Sequence, residues 1–368
     1  MRLSHIDYDS IKEKALKGRY ITHNHITPIL KNLPAVFKLE EIGRSVKDLP
    51  IYTVTFGNGP KKILMWSQMH GNESTTTKAI FDLFNLIVGS SKISSTILNT
   101  CTIKIIPILN PDGAMAYTRM NANIVDLNRD AQERSQPESK VLRNCYEHFK
   151  PDFCFNLHGQ RTIFNVGNSS KPATVSFLAP AFDKERNISF TRAQSMRLIV
   201  AMNQELQEEI PGQIGRYDDG FNANCVGDTF QMLNIPTILF EAGHYPNDYD
   251  REETRKFIFI AMFKALDVIS SDTLEEYDQS AYFEIPDNNK LFYDILIKNV
   301  HIIDPIKYKD GDSLGILYKE VLKNEQITFE PSFEKSGNLE GYFGHKTYDC
   351  TSENDFSYLK SATFAKLI

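Results

Sequence analysis

The sequence predicts an α/β fold: a mixed, largely parallel central sheet with helices on both faces, followed by a small β-rich C-terminal module. Three observations predict it. From Ile51 to Ile269, short apolar runs rich in β-branched residues alternate with long amphipathic segments. That is the pattern of strands linked by helices across a shared sheet. The motif-like residues fall where those strands end, which is where such sheets gather function. After Asp272 the long helical periods stop, and short alternating runs separated by Pro286-Asp287-Asn288-Asn289 and Lys309-Asp310-Gly311-Asp312 take over.

The elements follow in order. Residues 1–48 read as a polar, mostly helical lead-in. Strands are expected at Ile51–Phe56 and Lys62–Trp66, then a helix from Ser74 to about Val88 with Ile80, Leu83, Phe84, Leu86 and Ile87 on its apolar side. The run Thr102–Ile108 ends at Asn110-Pro111-Asp112-Gly113, a turn signal. A helix at Glu138–Phe149, a strand at Asp152–Leu157 and a further strand at Val175–Ala179 come next. Gln194–Glu209 reads as a helix, Thr237–Glu241 as a short buried strand and Glu252–Ile269 as a helix. The charged stretch Asp248–Arg255 reads as a solvated helix start. Residues 1–272 are thus assigned to one large domain and 273–368 to the β-rich module, whose runs include Phe292–Ile297, Gly315–Tyr318 and Ile327–Phe329.

Composition sets the outer limits. The chain has 368 residues, of which 41% are hydrophobic and 24% charged, enough apolar material for a sizeable core. A net charge of −6 argues against nucleic acid or an anionic membrane as the partner. No run approaches the ~18 apolar residues of a membrane span, and the N-terminal residues lack the apolar stretch of a secretory signal. The five cysteines are widely spaced with no C-x-x-C, which fits reduced thiols and a cytoplasmic location. Cys101 and Cys154, in apolar runs, read as core thiols.

Four short patterns carry chemistry. His70-Gly71-Asn72-Glu73 lies between a strand and a helix, and a histidine and a carboxylate on one tight turn can both reach a zinc ion. His158, closing a buried strand before Gly159, could be a third ligand or a hydrogen-bonded core histidine. Arg119, Asn121, Asp126, Asn128 and Arg129 lie close together. An arginine fork suits a carboxylate, although a solvated, ion-paired loop would read the same. Glu241 closes an apolar strand, where a carboxylate is costly unless paired or functional. His244 is read as a neighbour of the cleft or a surface residue, and the other histidines have no partner at ligand spacing.

Taken in order, HGNE, NPDG, R-x-N-x-x-x-x-DLNR, LHG and FE resemble the zinc metallocarboxypeptidases of the carboxypeptidase A type, over about Ile42–Ile269. The spacing from Arg119 to the DLNR motif looks most like the carboxypeptidase E and cytosolic carboxypeptidase branches. The resemblance implies one zinc ion held by His70, Glu73 and His158. It implies hydrolysis of a C-terminal amide bond by an activated water with Glu241 as general base. Arg119 would stabilise the oxyanion, and Asn128 and Arg129 would grip the terminal carboxylate of a peptide or peptide-like substrate. Tyr217 would be the closing tyrosine, at a spacing to Glu241 two residues longer than expected. The pocket-determining position falls on Gly227, before Asp228. The succinylglutamate desuccinylase and aspartoacylase deacylases, which cleave small N-acyl amino acids, share several of these motifs and a C-terminal β module. NPDG and the gap from Arg119 to Asn128 favour the carboxypeptidases.

Overall fold

The computed structural model describes residues 7–89 and 92–367. In chain order, the strands of the body are β1 (Lys38–Arg44), β2 (Pro50–Phe56), β3 (Lys61–Ser67), β4 (Cys101–Ile106), β5 (Phe153–Gly159), the two-residue β6 (Asn165–Val166), β7 (Val175–Leu178), β8 (Ile214–Arg216) and β9 (Thr237–Ala242). All but β6 join one eight-stranded sheet in the order β1-β2-β4-β3-β5-β9-β7-β8. Its centre, β4-β3-β5-β9, is parallel, whereas β1, β2 and β7 attach antiparallel.

The helices are α1 (Tyr8–Ile11), α2 (His23–Lys31), α3 (Thr75–Val88), α4 (Lys92–Thr100), α5 (Pro111–Ala116), α6 (Pro137–Phe149), α7 (Phe190–Glu209), α8 (Val226–Met232) and α9 (Glu252–Ser271). Side chains alternate across the central strands because a strand has a period of two. Ile63 and Met65 of β3, Phe155 and Leu157 of β5, and Ile238 and Phe240 of β9 enter one core with α3, α7 and α9. Leu64, Trp66 and Cys154 enter the other, with Leu142 of α6 and Phe230 of α8. Helices therefore cover both faces, as the alternation of strands and helices requires.

A second sheet follows. β10 (Asn288–Asn289) returns to pair with β6, and then β11 (Phe292–Lys298), β12 (Ser313–Lys323), β13 (Gln326–Gly337) and β14 (Phe343–Asp349) form a sheet in the order β13-β12-β11-β14, with α10 (Glu353–Ser361) against it. Ile295, Ile297, Leu314, Ile316 and Leu359 give it a core of its own. It is also tied to the body. Tyr249 Oη donates to Asp294 at 2.9 Å, a ring nitrogen of His345 lies 2.8 Å from the Thr162 carbonyl, and Arg19 pairs with Glu320 at 2.9 Å.

Several expectations need correction. Residues 1–6 of the lead-in lie outside the described residues, and over residues 7–48 it is not mostly helical: it contains β1, an edge strand whose sequence KLEEIGR is too charged to show the period of a buried strand. NPDG begins a helix rather than only a turn. Pro111 takes the first helical position, where its missing N–H costs nothing, and the Asn110 side-chain oxygen accepts from Gly113 N at 2.9 Å. The helix expected from Gln194 begins at Phe190 because Ser189 caps it, accepting from Arg192 N. β12 and β13 are much longer than the runs that signalled them.

The stretch Asp248–Arg255 does open a helix, with Asp248 accepting the N–H groups of Glu252, Glu253 and Thr254, but only part of it is solvated: Asp250 and Glu253 are exposed, whereas its arginines are not. Arg251 and Arg255 are fully buried. Arg255 donates to buried Asp82 through Nε (2.7 Å) and Nη2 (2.5 Å), and to the carbonyls of Glu13 and Leu16. This fork ties the N-terminal segment to α3 and α9. His244 is likewise buried, its ring 4.2 Å from that of His345, a partner that sequence spacing could not reveal.

Candidate active site

The first two ligand candidates are placed by the turn after β3. Gln68 holds φ at 45°, an unusual value for a residue with a Cβ. Its buried side chain secures the bend: Nε2 donates to the carbonyls of Ile21 and Gly71, and Oε1 accepts from Thr77 Oγ1. His70 and Glu73 then face one point, with Nδ1 and Oε1 2.9 Å apart. The HGNE turn lies backbone to backbone on the NPDG turn. A Cβ on Gly71 would sit 1.9 Å from the Gly113 carbonyl carbon and 2.2 Å from Ala114 N. Gly71→Ala should therefore cost about 3 kcal/mol of stability, and because the turn must shift, weaken zinc binding too. Thermal unfolding with and without zinc measures both. An alanine protein with wild-type melting in both conditions would mean that this contact is not tight.

His158 and Glu241 come from the parallel neighbours β5 and β9, where they stand in register. The large apolar residues of both strands fill the α3/α7/α9 core, so the period of two turns His158 and Glu241 to the opposite face. His158 Nδ1 lies 3.0 Å from Glu73 Oε2 and 3.1 Å from His70 Nδ1. Gly159 N–H donates to Glu73 Oε2 at 2.9 Å. Among the described residues, His70, Glu73 and His158 form the one group of side chains with metal-holding geometry.

The three donors fit zinc. Ligand atoms ~2.0–2.1 Å from a tetrahedral ion stand about 3.3 Å apart, and these are a few tenths of an ångström closer. Zinc needs an ionised carboxylate and neutral imidazoles. Burial opposes the charge on Glu73, but the two histidines outweigh it and hold its pKa well below the usual carboxylate range. Burial lowers the His158 pKa and keeps that ring neutral. At His70 burial is outweighed by Glu73 and by the Asp126 hydrogen bond, so its pKa rises. Asp126 Oδ1 accepts from His70 Nε2 at 3.0 Å, which leaves Nδ1 free as a ligand atom, the arrangement of a carboxylate behind a metal-bound histidine. The sequence had shown Asp126 only as an ion-pair candidate. His158 Nε2 is buried with no partner among the described residues.

The other predicted site residues surround this group. Arg119 Nε and Nη2 donate to Asp126 Oδ2 at 3.1 and 3.0 Å, and Nη1 lies 3.2 Å from His70 Nδ1 and 3.5 Å from Glu73 Oε1. Asn128 sits in a 3-10 turn, Leu127–Arg129, and its side-chain oxygen accepts from Val226 N at the start of α8. Arg129 Nη1 donates to the Asn128 carbonyl, and its exposed side chain lines the cleft. Tyr217 follows β8. Its ring rests 5.5 Å from Phe164, and burial together with Glu241 and Glu73 raises its phenol pKa. Gly227 packs against Pro180, whereas Asp228 and Cys225 face the cavity. The whole cleft has a volume of about 870 Å³. Sequence reading missed Gln68, Arg19 and Arg251 at this site, and it did not anticipate Tyr318–Val321 of β12 on the cleft wall.

Comparison with known proteins agrees with this geometry. The profile of the zinc carboxypeptidase family (Peptidase_M14) matches residues 23–224. Carboxypeptidase SOL1 of Arabidopsis thaliana is 26% identical over 209 residues, 47% of this chain and 43% of that protein. Carboxypeptidase E of Caenorhabditis elegans is 30% identical over 148 residues, 32% of this chain and 31% of that protein. The matches thus span less than half the length of these curated relatives. In fold, the chain resembles the metallo-carboxypeptidase of Burkholderia cenocepacia, with a TM-score of 0.54 and 19% identity over 68% of each chain. The profile ends before Glu241, which strand register alone brings opposite His158. Since the matched segment is more than half of the sequence and contains all three candidate ligands, this chain belongs to the zinc carboxypeptidase family.

Proposed function

We propose that this chain is a zinc-dependent carboxypeptidase that hydrolyses the last amide bond of a peptide, with Glu241 as its proton-transferring group. Glu241 carries the reading. It is buried on the cleft wall, in register with His158, and its Oε2 has no hydrogen-bond partner among the described residues. An unpaired buried carboxyl is costly, and such cost is common where a group handles protons. Burial first, and the nearby Glu73 second, raise its pKa, and a cation held beside Glu73 would oppose that shift and favour the carboxylate form that accepts a proton.

Zinc, when held by His70, Glu73 and His158, supplies a Lewis acid and lowers the pKa of a water toward ~7. Glu241 takes the proton of the attacking water and returns it to the leaving amine. Arg119, fixed by Asp126, presents a guanidinium edge beside the ligands, where it stabilises the oxyanion; a donor in that role contributes on the order of 100-fold in rate. Arg129 has no ion-pair partner among the described residues, so its fork is available to a terminal carboxylate, with Asn128 beside it. Tyr217 lines the same cleft, where its phenol would close over the substrate. The cavity is at the upper end of the range for small ligands, which suits the last few residues of a peptide.

One observation favours a second reading. β12 supplies part of the cleft wall, and a wall contributed by the C-terminal sheet would suit a small N-acyl amino acid. A panel of N-blocked dipeptides, their C-terminal amides, and N-acetyl and N-succinyl amino acids, assayed with the zinc-loaded protein, separates the readings. Release of the last residue from free-acid dipeptides, with the amides refused, is the expected result. Cleavage of acyl amino acids alone gives the deacylase. Equal cleavage of acid and amide would remove Arg129 from its role.

A further inference from the structure

One wall of the cleft joins Arg19 of the N-terminal segment, Arg251 at the start of α9, and Tyr318–Val321 of β12. Arg251 is 1% exposed. Its Nη1 and Nη2 donate to the carbonyls of Ala242 (2.9 Å) and Gln160 (3.0 Å), the residues just past Glu241 and Gly159, and its Nε has no partner among the described residues. Its φ of 59° puts a long side chain in the left-handed region, a conformation that persists only where surroundings enforce it. No described carboxylate lies within ion-pair distance of it. A buried guanidinium without a counter-charge is costly, and burial, with repulsion from Arg19, pushes its pKa down to about 10. The side chain of Arg19 is itself 9% exposed and pairs with Glu320, to which Tyr117 Oη also hydrogen-bonds. One carboxylate thus faces two guanidinium groups.

The imbalance extends along the cleft. Arg129, Arg161, Lys290 and Lys319 also line it, with no ion-pair partner among the described residues. Of the carboxylates there, Glu73 belongs to the candidate ligand group, Glu241 stands in register with His158 of that group, and Glu320 is paired with Arg19, which leaves Asp218 and Asp228 for the remaining cations. A cation-rich cleft in a chain of net charge −6 focuses anions.

We propose that the Arg19–Arg251 wall is a subsite for a side-chain carboxylate on the acyl side of the scissile bond, so that the preferred substrates are acidic peptides with Glu or Asp next to the residue released. The inference rests on the carboxypeptidase reading, in which Asn128 and Arg129, beside α8, take the terminal carboxylate. Arg251 hangs from the strand ends beyond His158 and Glu241, on the side built by β12 and the N-terminal segment, which is left for the acyl part.

The test compares kcat/KM for N-blocked Glu-Xaa and Gln-Xaa dipeptides with the same released residue. The expected preference for Glu is about tenfold or more at low ionic strength, shrinking as salt is added. In Arg19→Gln and in Arg251→Gln the Glu/Gln ratio should fall toward one. Arg19→Gln keeps the test open if Arg251→Gln does not fold. Calorimetric titration of zinc-loaded Glu241→Gln with the same two peptides reads the subsite without turnover. Hydrolysis of both wild-type substrates at equal rates overturns the subsite and leaves the carboxypeptidase intact. A preference that survives both substitutions also overturns it. Failure to hydrolyse either peptide, with zinc bound, counts against the carboxypeptidase reading; equal binding of the two in the titration then counts against the subsite separately.

Discussion

Zinc-loaded Glu241→Gln is expected to hydrolyse peptides about a thousandfold more slowly than the wild type, in the middle of the range for loss of a positioned proton-transfer group. Glutamine keeps the shape of the side chain and removes only its ability to take a proton. The candidate ligand atoms belong to His70, Glu73 and His158, and Glu241 is not among them, so metal content should stay at one ion per chain. The buried position is not expected to suffer, because among the described residues Oε2 has no hydrogen bond to lose. Zinc analysis beside single-turnover hydrolysis gives both numbers. Rates within tenfold of wild type in a zinc-replete sample would take Glu241 out of the reaction.

His158→Ala is expected to lower zinc affinity by on the order of a thousandfold, since one of three protein donors is lost from a binding energy of about 10–16 kcal/mol in closed zinc sites. The ring makes its polar contacts to the other two candidate ligands through Nδ1, and Nε2 has no hydrogen-bond partner among the described residues. Removing it should leave a small cavity rather than an unfolded sheet. Competition with a chromogenic chelator measures the affinity, and far-ultraviolet circular dichroism checks the fold. His244→Ala is the matched control, a buried histidine outside the ligand group. Unchanged zinc affinity in His158→Ala, or an equal loss in His244→Ala, would contradict the assignment of ligands.

Local chemistry was legible in the sequence, and neighbourhood was not. The central strands and long helices could be read because apolar period and length distinguish them, as for Lys61–Ser67 and Glu252–Ser271. β1 could not, because an edge strand that faces water need not alternate. His70 and Glu73 share a turn and announce each other in three residues. His158 and Glu241 meet only because β5 and β9 are parallel neighbours in a given register, which no spacing in the chain encodes. The arginines show the limit most clearly. Arg251 and Arg255 look like a charged, solvated helix start, yet both are buried. Charge alone does not tell whether a guanidinium will find carbonyls and a carboxylate waiting. Arg255 finds Asp82, whereas Arg251 finds only carbonyls.

The wall that β12 lends to the cleft separates two tasks in the chain. The candidate ligands and Glu241 sit on β5, on β9 and on the turn after β3, on a sheet packed between two cores where changes are costly. The β12–β13 hairpin is long, and β13 is largely solvent-facing at the edge of its own sheet. Under the carboxypeptidase reading, mutations there would reshape which substrates enter without disturbing the residues proposed to act on them. Within one polypeptide, substrate range can drift and be selected on the hairpin while the chemistry stays fixed in the body.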